Sequence, residues 1–172
     1  YNSNGLYFYN LINNGTITVG TGTFTNNVEG TFTNNNTIQT KTAILSGSIT
    51  EASGSTVIFT GDGDGAVDSQ TITIFGTTYH HLTINSTDGS MDTFLFGATP
   101  TINGNLTVTA GILNTNSQTV AITGSATISG GTLSLSGNTT FNGGVTVQSG
   151  GTLSCTTGGT TITIDDADTM TV

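Results

Sequence analysis

Leu106-Thr107-Val108, Ala126-Thr127-Ile128 and Val145-Thr146-Val147 are one apolar–polar–apolar triplet met three times, starting at residues 106, 126 and 145. A second series runs in step with it: Leu113, Leu133-Ser134-Leu135, Leu153-Ser154-Cys155. A third fills the gaps with Val120-Ala121-Ile122, Phe141 and Ile162-Thr163-Ile164. Strict alternation is the period of a strand with one face buried and the other wet. Three such strands in each interval of about 20 residues, repeated by translation, describe a coil that stacks on its neighbours. The spacing predicts an all-β fold: a single parallel β-solenoid of right-handed β-helix type, about three short strands per coil. A β-sandwich would also alternate, but its strands pair over long range and carry no such translational repeat. The apolar positions of all three series, as far as Cys155, Ile162 and Ile164, are expected to point inward.

Working outward, residues 56–99 keep the alternation in Ile72-Thr73-Ile74, Leu82-Thr83-Ile84 and Phe94-Leu95-Phe96, with longer loops, notably from Gly61 to Ser69. Nearer the N-terminus, Gly22-Thr23-Phe24-Thr25-Asn26-Asn27 returns as Gly30-Thr31-Phe32-Thr33-Asn34-Asn35. That short interval suits successive sides of one coil. Asn runs at like corners are expected to stack as amide ladders. No window has helical period and no linker is visible, so residues 1–172 read as one domain.

Composition narrows the function. Thr is the commonest residue, with about 40 copies, and it forms strands while tolerating solvent. Only 6% of residues are charged, and ten acids face the single cation Lys41 for a net charge of −9. Nucleic-acid binding requires Lys and Arg against phosphate and is excluded on that ground. Attraction to anionic lipid fails for the same reason, and no stretch is long and apolar enough to insert in a membrane as a helix. A chain opening on Tyr1 rather than Met is expected to have lost a signal sequence. The lone Cys155 has no internal disulfide partner and falls where Leu135 stands one coil earlier, so it reads as a small core residue.

The run Thr77-Thr78-Tyr79-His80-His81-Leu82-Thr83-Ile84-Asn85, with Asn103-Gly104-Asn105-Leu106-Thr107-Val108 and Ser129-Gly130-Gly131-Thr132-Leu133, resembles the repeats of secreted bacterial β-helix surface proteins. These are adhesin-like and autotransporter-passenger-like chains, and the Gly-Thr-Phe-Thr-Asn-Asn repeats are similar to theirs. The resemblance implies a β-helix, an extracellular or cell-surface location and a structural or adhesive role. It specifies architecture far better than function, because the same coils serve adhesion, scaffolding and some enzymes.

Residues with chemistry to offer are few. Asp62, Asp64 and Asp68 lie on a Gly-rich loop, and oxygen ligands so placed suit calcium, although the spacing fits neither the EF-hand nor the nonapeptide calcium repeat. A solvated acidic loop is the plainer reading, so no cofactor is required. Asp165, Asp166 and Asp168 form a second acidic group. Glu29, Glu51 and the aspartates could supply the facing carboxylates of a glycosidase, but the chain has no Arg and no legible nucleophile–base pair, so it reads as no enzyme. His80 and His81, taken as neighbours on a strand, are expected to point to opposite faces. Thr-x-Thr pairs such as Thr107/Thr109 do not recur at the coil period and are expected to scatter around the rod rather than form an ice-binding ladder. Sequons such as Asn105-Leu106-Thr107 are expected by chance in so Asn- and Thr-rich a chain.

Function is sought instead at the rod's ends. The chain finishes in strand pattern at Met170-Thr171-Val172 and opens with Leu6-Tyr7-Phe8-Tyr9-Asn10-Leu11-Ile12. An aromatic strand beside an open edge can cover its own first coil or lie on the last coil of another subunit. The expectation is the second: Leu6, Tyr7, Phe8, Tyr9, Leu11 and Ile12 meet Met170 and Val172 of another copy, and a head-to-tail homopolymer grows into a filament or surface fibre. An adhesin stalk from a longer cell-surface protein, carrying a carbohydrate or surface ligand, is the alternative, and a carbohydrate-active enzyme the third reading.

Overall fold

Parallel strands stack coil upon coil through the whole of the structure, a computed structural model that describes residues 10–20, 31–41, 49–61, 63, 65, 69–72, 78–88, 92–165 and 169–172. Among these residues every regular element is a strand, and every ladder is parallel. The chain is a β-solenoid.

The first three coils contribute two described strands each, and from Ser69 onward every coil contributes one strand to each of three walls. The first wall begins with β1 (Leu11–Asn13), β3 (Phe32–Asn34) and β5 (Ile49–Glu51), and the longest one begins with β2 (Thr16–Val19), β4 (Thr37–Thr40) and β6 (Thr56–Phe59). A further wall opens with β7 (Ser69–Ile72), followed by β8 (Thr78–Tyr79) and β9 (His81–Asn85). The three-sided order then repeats as β10 (Thr93–Phe96), β11 (Thr101–Ile102) and β12 (Leu106–Ala110), and as β13 (Ile112–Asn114), β14 (Val120–Ile122) and β15 (Ala126–Ile128). It continues as β16 (Thr132–Leu135), β17 (Thr139–Phe141) and β18 (Val145–Val147), and ends as β19 (Thr152–Cys155), β20 (Ile162–Ile164) and β21 (Met170–Thr171). The longest wall is an 8-stranded sheet from β2 to β21. Two 5-stranded sheets, β7 to β19 and β8 to β20, form the other sides, and β1, β3 and β5 make a separate 3-stranded sheet. The ladder is thus interrupted between β5 and β8, although both strands precede a strand of the longest wall.

The register follows the triplets. Leu106 pairs with Ala126 and Ala126 with Val145; Leu113 pairs with Leu133 and Leu133 with Leu153; Ile122 pairs with Phe141 and Phe141 with Ile164. Equivalent side chains therefore stack in columns, and the columns are the core: Leu82, Ile84, Leu106, Val108, Ile128, Leu133 and Phe141 are all buried. Where the chain needs extra residues it makes a loop and returns to register, as between Thr56 and its partner His81. Gly111, at φ +84, makes the sharp turn from β12 into β13, and a Cβ there would press against the Ser86 side chain.

The Asn ladders form in the first coils. Asn13 Nδ2 donates to Asn34 Oδ1 at 2.8 Å inside the rod, and Asn34 Nδ2 donates to Glu51 Oε2 at 2.8 Å. Outside, Asn35 Nδ2 donates to Asn14 Oδ1 at 2.8 Å. Buried amides are tolerated because each supplies the donor that the next one accepts. The repeat at Gly22–Asn27 lies outside the described residues.

Candidate functional site

The end coil is the most distinctive surface. β19, β20 and β21 are each the edge strand of a sheet, so each is laddered on one side only. Their inward positions continue the core columns: Leu153 and Cys155 pair with Leu133 and Leu135, Ile162 with Thr139, Met170 with Val145. No described coil covers them. Ile162 is 40% exposed, Met170 50% and Val172 90%, and these are three of the four large apolar side chains exposed among the described residues. Cys155 is exposed as well. The core positions expected for Cys155 and Ile162 are therefore corrected: their phase is that of the core, but burial needs a second coil on the open side, and periodicity alone does not supply one.

At the opposite end β1 and β2 are the edges. Leu11 pairs with buried Phe32 and is half-buried; Ile12 pairs with Thr33, on the outward phase, and is 62% exposed. Ile12 thus faces sideways from the rod rather than along its axis. Ile17 of β2 stands in the same inward column as Met170, through Ile38, Val57, Leu82, Leu106, Ala126 and Val145. Leu6, Tyr7, Phe8 and Tyr9 lie outside the described residues.

The acidic loop is only partly visible. Asp62, Asp64 and Asp68 lie outside the described residues, but the neighbouring Gly61, Gly63 and Gly65 rest against Ser86, Thr87, Asp88 and Asp92. Gly65 N donates to Asp88 Oδ1 at 3.1 Å, Ser86 Oγ donates to the buried Asp92 Oδ2 at 2.6 Å, and that Asp92 carboxylate fills the space beside Gly61. The fold thus brings Asp88 and Asp92, one coil later, against the Gly-rich loop. Sequence reading missed this pair because strands β7, β8 and β9 separate it from the loop along the chain. Among the described residues no group of three or more His, Cys, Asp or Glu is arranged to hold a metal ion. Asp166 and Asp168 of the second acidic group, and Glu29, also lie outside the described residues.

Glu51 ends the buried Asn ladder. Its Oε2 accepts from Asn34 and, at 2.7 Å, from Ser55 Oγ. Burial pushes its carboxyl above the ordinary 4.5, against the two hydrogen bonds and the His80 imidazole, which favour the charged form. The fully buried Tyr79 hydroxyl is held well above its ordinary value by desolvation and then by the Glu51 charge.

His80 and His81 are not on opposite faces. His80 occupies the corner between β8 and β9, where strand alternation does not apply, and the two rings meet edge to face with centroids 4.3 Å apart. Both Nδ1 atoms turn toward Gly104 of the next coil. Asn105 N donates to His81 Nδ1 at 2.9 Å, which fixes the neutral ring with its proton on Nε2. His80 Nε2 lies 3.4 Å from Ser53 Oγ, while His80 Nδ1 is buried without a hydrogen-bond partner. An orphaned lone pair costs less than an orphaned N–H, so the proton belongs on Nε2 and points at Ser53. That tautomer donates to the serine and cannot take its proton as a general base does.

The Thr-x-Thr pairs scatter as expected, with Thr16/Thr18 and Thr107/Thr109 on the longest wall but Thr33 on β3, Thr71 on β7 and Thr163 on β20, while single threonines form one column on the longest wall. Thr83, Thr107, Thr127, Thr146 and Thr171 pair successively in one outward column. The pairs themselves vary around it, with Asn105, Ser125 and Gly144 at the preceding outward positions. Against this geometry, no protein-family model matches the chain, and neither the curated proteins nor the solved structures searched contain a match.

Proposed function

We propose that the chain is a structural, self-assembling extracellular subunit that extends into a filament or surface fibre by stacking solenoid ends head to tail. The observation that supports this reading is the end coil, whose three edge strands carry uncovered apolar columns. A second copy's first coil offers the complementary edge, with β1 against β20 and β2 against β21. Ile17 of that copy then becomes the next member of the column that Met170 ends, and both ladders run on in parallel. Covering a large aliphatic side chain is worth about 1.5–3 kcal/mol, and association costs at least about 4 kcal/mol in lost freedom. A few side chains plus the ladder bonds give a joint that forms at sufficient concentration. Unlike ends joined by translation leave the chain of contacts open, so growth is linear.

The surface of hydroxyls and amides, and the resemblance to secreted bacterial adhesin-like and autotransporter-passenger-like repeats, favour an extracellular setting. Continuation of the same coils within a longer adhesin stalk is the second reading, favoured by the same open edge. Negative-stain microscopy and sedimentation of the purified chain test the proposal. Rods that lengthen with concentration are expected, and Met170→Lys should return them to single subunits. A chain that stays monomeric at high concentration rejects self-assembly and favours the stalk.

A further inference from the structure

The corner at His80–His81 joins three successive coils. His81 N donates to Ser55 O at 2.9 Å in the coil before; Gly104 N donates to His80 O at 2.6 Å and Asn105 N to His81 Nδ1 at 2.9 Å from the coil after. The ladder is interrupted on the preceding side, between β5 and β8, while on the following side Asn103 N donates to Tyr79 O and Leu82 N to Asn105 O, so the His81 ring bond is the side-chain link set among backbone ones. We propose that this corner is an acid-sensitive clasp: a proton on His81 Nδ1 expels the Asn105 N–H, and the coils part at this seam while the rest of the rod stays laddered.

The geometry leaves the protonated ring no easy alternative. An imidazolium has donors at both nitrogens, so an N–H facing Nδ1 becomes a donor meeting a donor. Both Nδ1 atoms sit in the space that a side chain at position 104 would take, 2.6 Å (His81) and 2.8 Å (His80) from where its Cβ would stand, so the ring meets the 104–105 backbone directly. The neighbouring His80 ring stands in edge contact at 4.3 Å and crowds the same corner. The titratable groups packed around the corner are Glu51 from the preceding coil and Tyr79 and His80 from the corner itself; Gly104 and Asn105 face it from the following coil without charge.

The His81 value is lowered from the ordinary 6.5, by burial first and His80 second. The unfolded chain therefore binds this proton at a higher pH than the folded one, and stability falls as pH drops through 6.5 toward the folded value. Glu51 acts in the opposite sense. Its carboxyl is raised above 4.5, so the folded chain takes that proton first and stability recovers in stronger acid. A dip in mild acid is the combined signature.

Amide hydrogen exchange of the intact chain, corrected for intrinsic rates, decides the matter at about pH 7.5 and about pH 5.5. The Asn105 amide should lose about tenfold or more of its protection on acidification, with Ala121 unchanged. His81→Gln should remove the pH response while His80→Gln keeps most of it. Equal Asn105 protection at the two pH values overturns the proposal. Should His81→Gln fail to fold, ring nitrogen shifts of the native chain decide instead: a proton on Nε2 at neutral pH supports the clasp, and one on Nδ1 overturns it.

Discussion

Gly104 carries no side chain because two imidazoles and a carbonyl occupy the place where one would stand. A Cβ there would meet His80 O at 2.6 Å and His81 Nδ1 at 2.6 Å. Gly104→Ala is therefore expected to cost about 1–3 kcal/mol, as overpacking does, read as a lower urea midpoint. Leu133 is a stricter case. It is buried in the middle of a column, and Leu133→Asp would place an unpaired charge where no cation can follow it. A loss of at least about 4 kcal/mol is expected; a melting curve within a degree or two of the native one would place Leu133 on the solvent side. Cys155 reports on the end coil. Its exposed thiol lies on β19, which a joint of β1 on β20 and β2 on β21 leaves uncovered, so it should react with a thiol reagent in dilute protein and in filaments alike.

At the scale of strands, alternation and the coil period were sufficient to read the register from residue 102 onward. Leu106, Ala126 and Val145 pair as their spacing required. The corners were not legible by the same rule. His80 and His81 were read as strand neighbours, yet one of them sits at a bend, and two-residue periodicity says nothing about where a strand stops. The single Thr column is already written in the triplets at Thr107, Thr127 and Thr146, and the structure extends it to Thr83 and Thr171, where the step along the chain is longer. Loops change the step without changing the column. The acid loop's neighbours Asp88 and Asp92 come from the following coil, a contact that only stacking creates. The Asn ladder was legible as a corner pattern, though not its termination on Glu51. Asn34→Ala removes both links of that ladder, leaving Asn13 Nδ2 with Thr37 O and Glu51 with Ser55. A loss of about 1–3 kcal/mol is expected by thermal or urea unfolding, and a neutral effect would mean that water replaces the amide.

Taken as a whole molecule, the rod carries a net charge of −9 and joins, as proposed, end to end with others of the same sign. Repulsion between subunits is screened by salt, so filament mass in sedimentation should rise from about 10 mM to about 150 mM salt. A fall with added salt would point to an ionic joint instead of an apolar one. Deleting residues 1–12 removes Leu11 and Ile12, two of the three residues of β1, and should leave short rods that do not lengthen; undiminished growth would reject the joint. The buried amide ladder bears on a different matter, the way such a molecule can be lengthened by copying its own gene segments. Asn34 receives one hydrogen bond from Asn13 and passes one on to Glu51, so the ladder runs one way. A duplicated Asn34 coil would slot in with every polar atom matched. A duplicated Glu51 coil would set two acceptor-only groups about 4.8 Å apart with no donor between them. Glu51 is thus a terminus written in chemistry: new coils can be added on its asparagine side, and the column cannot be extended past it without first changing that residue.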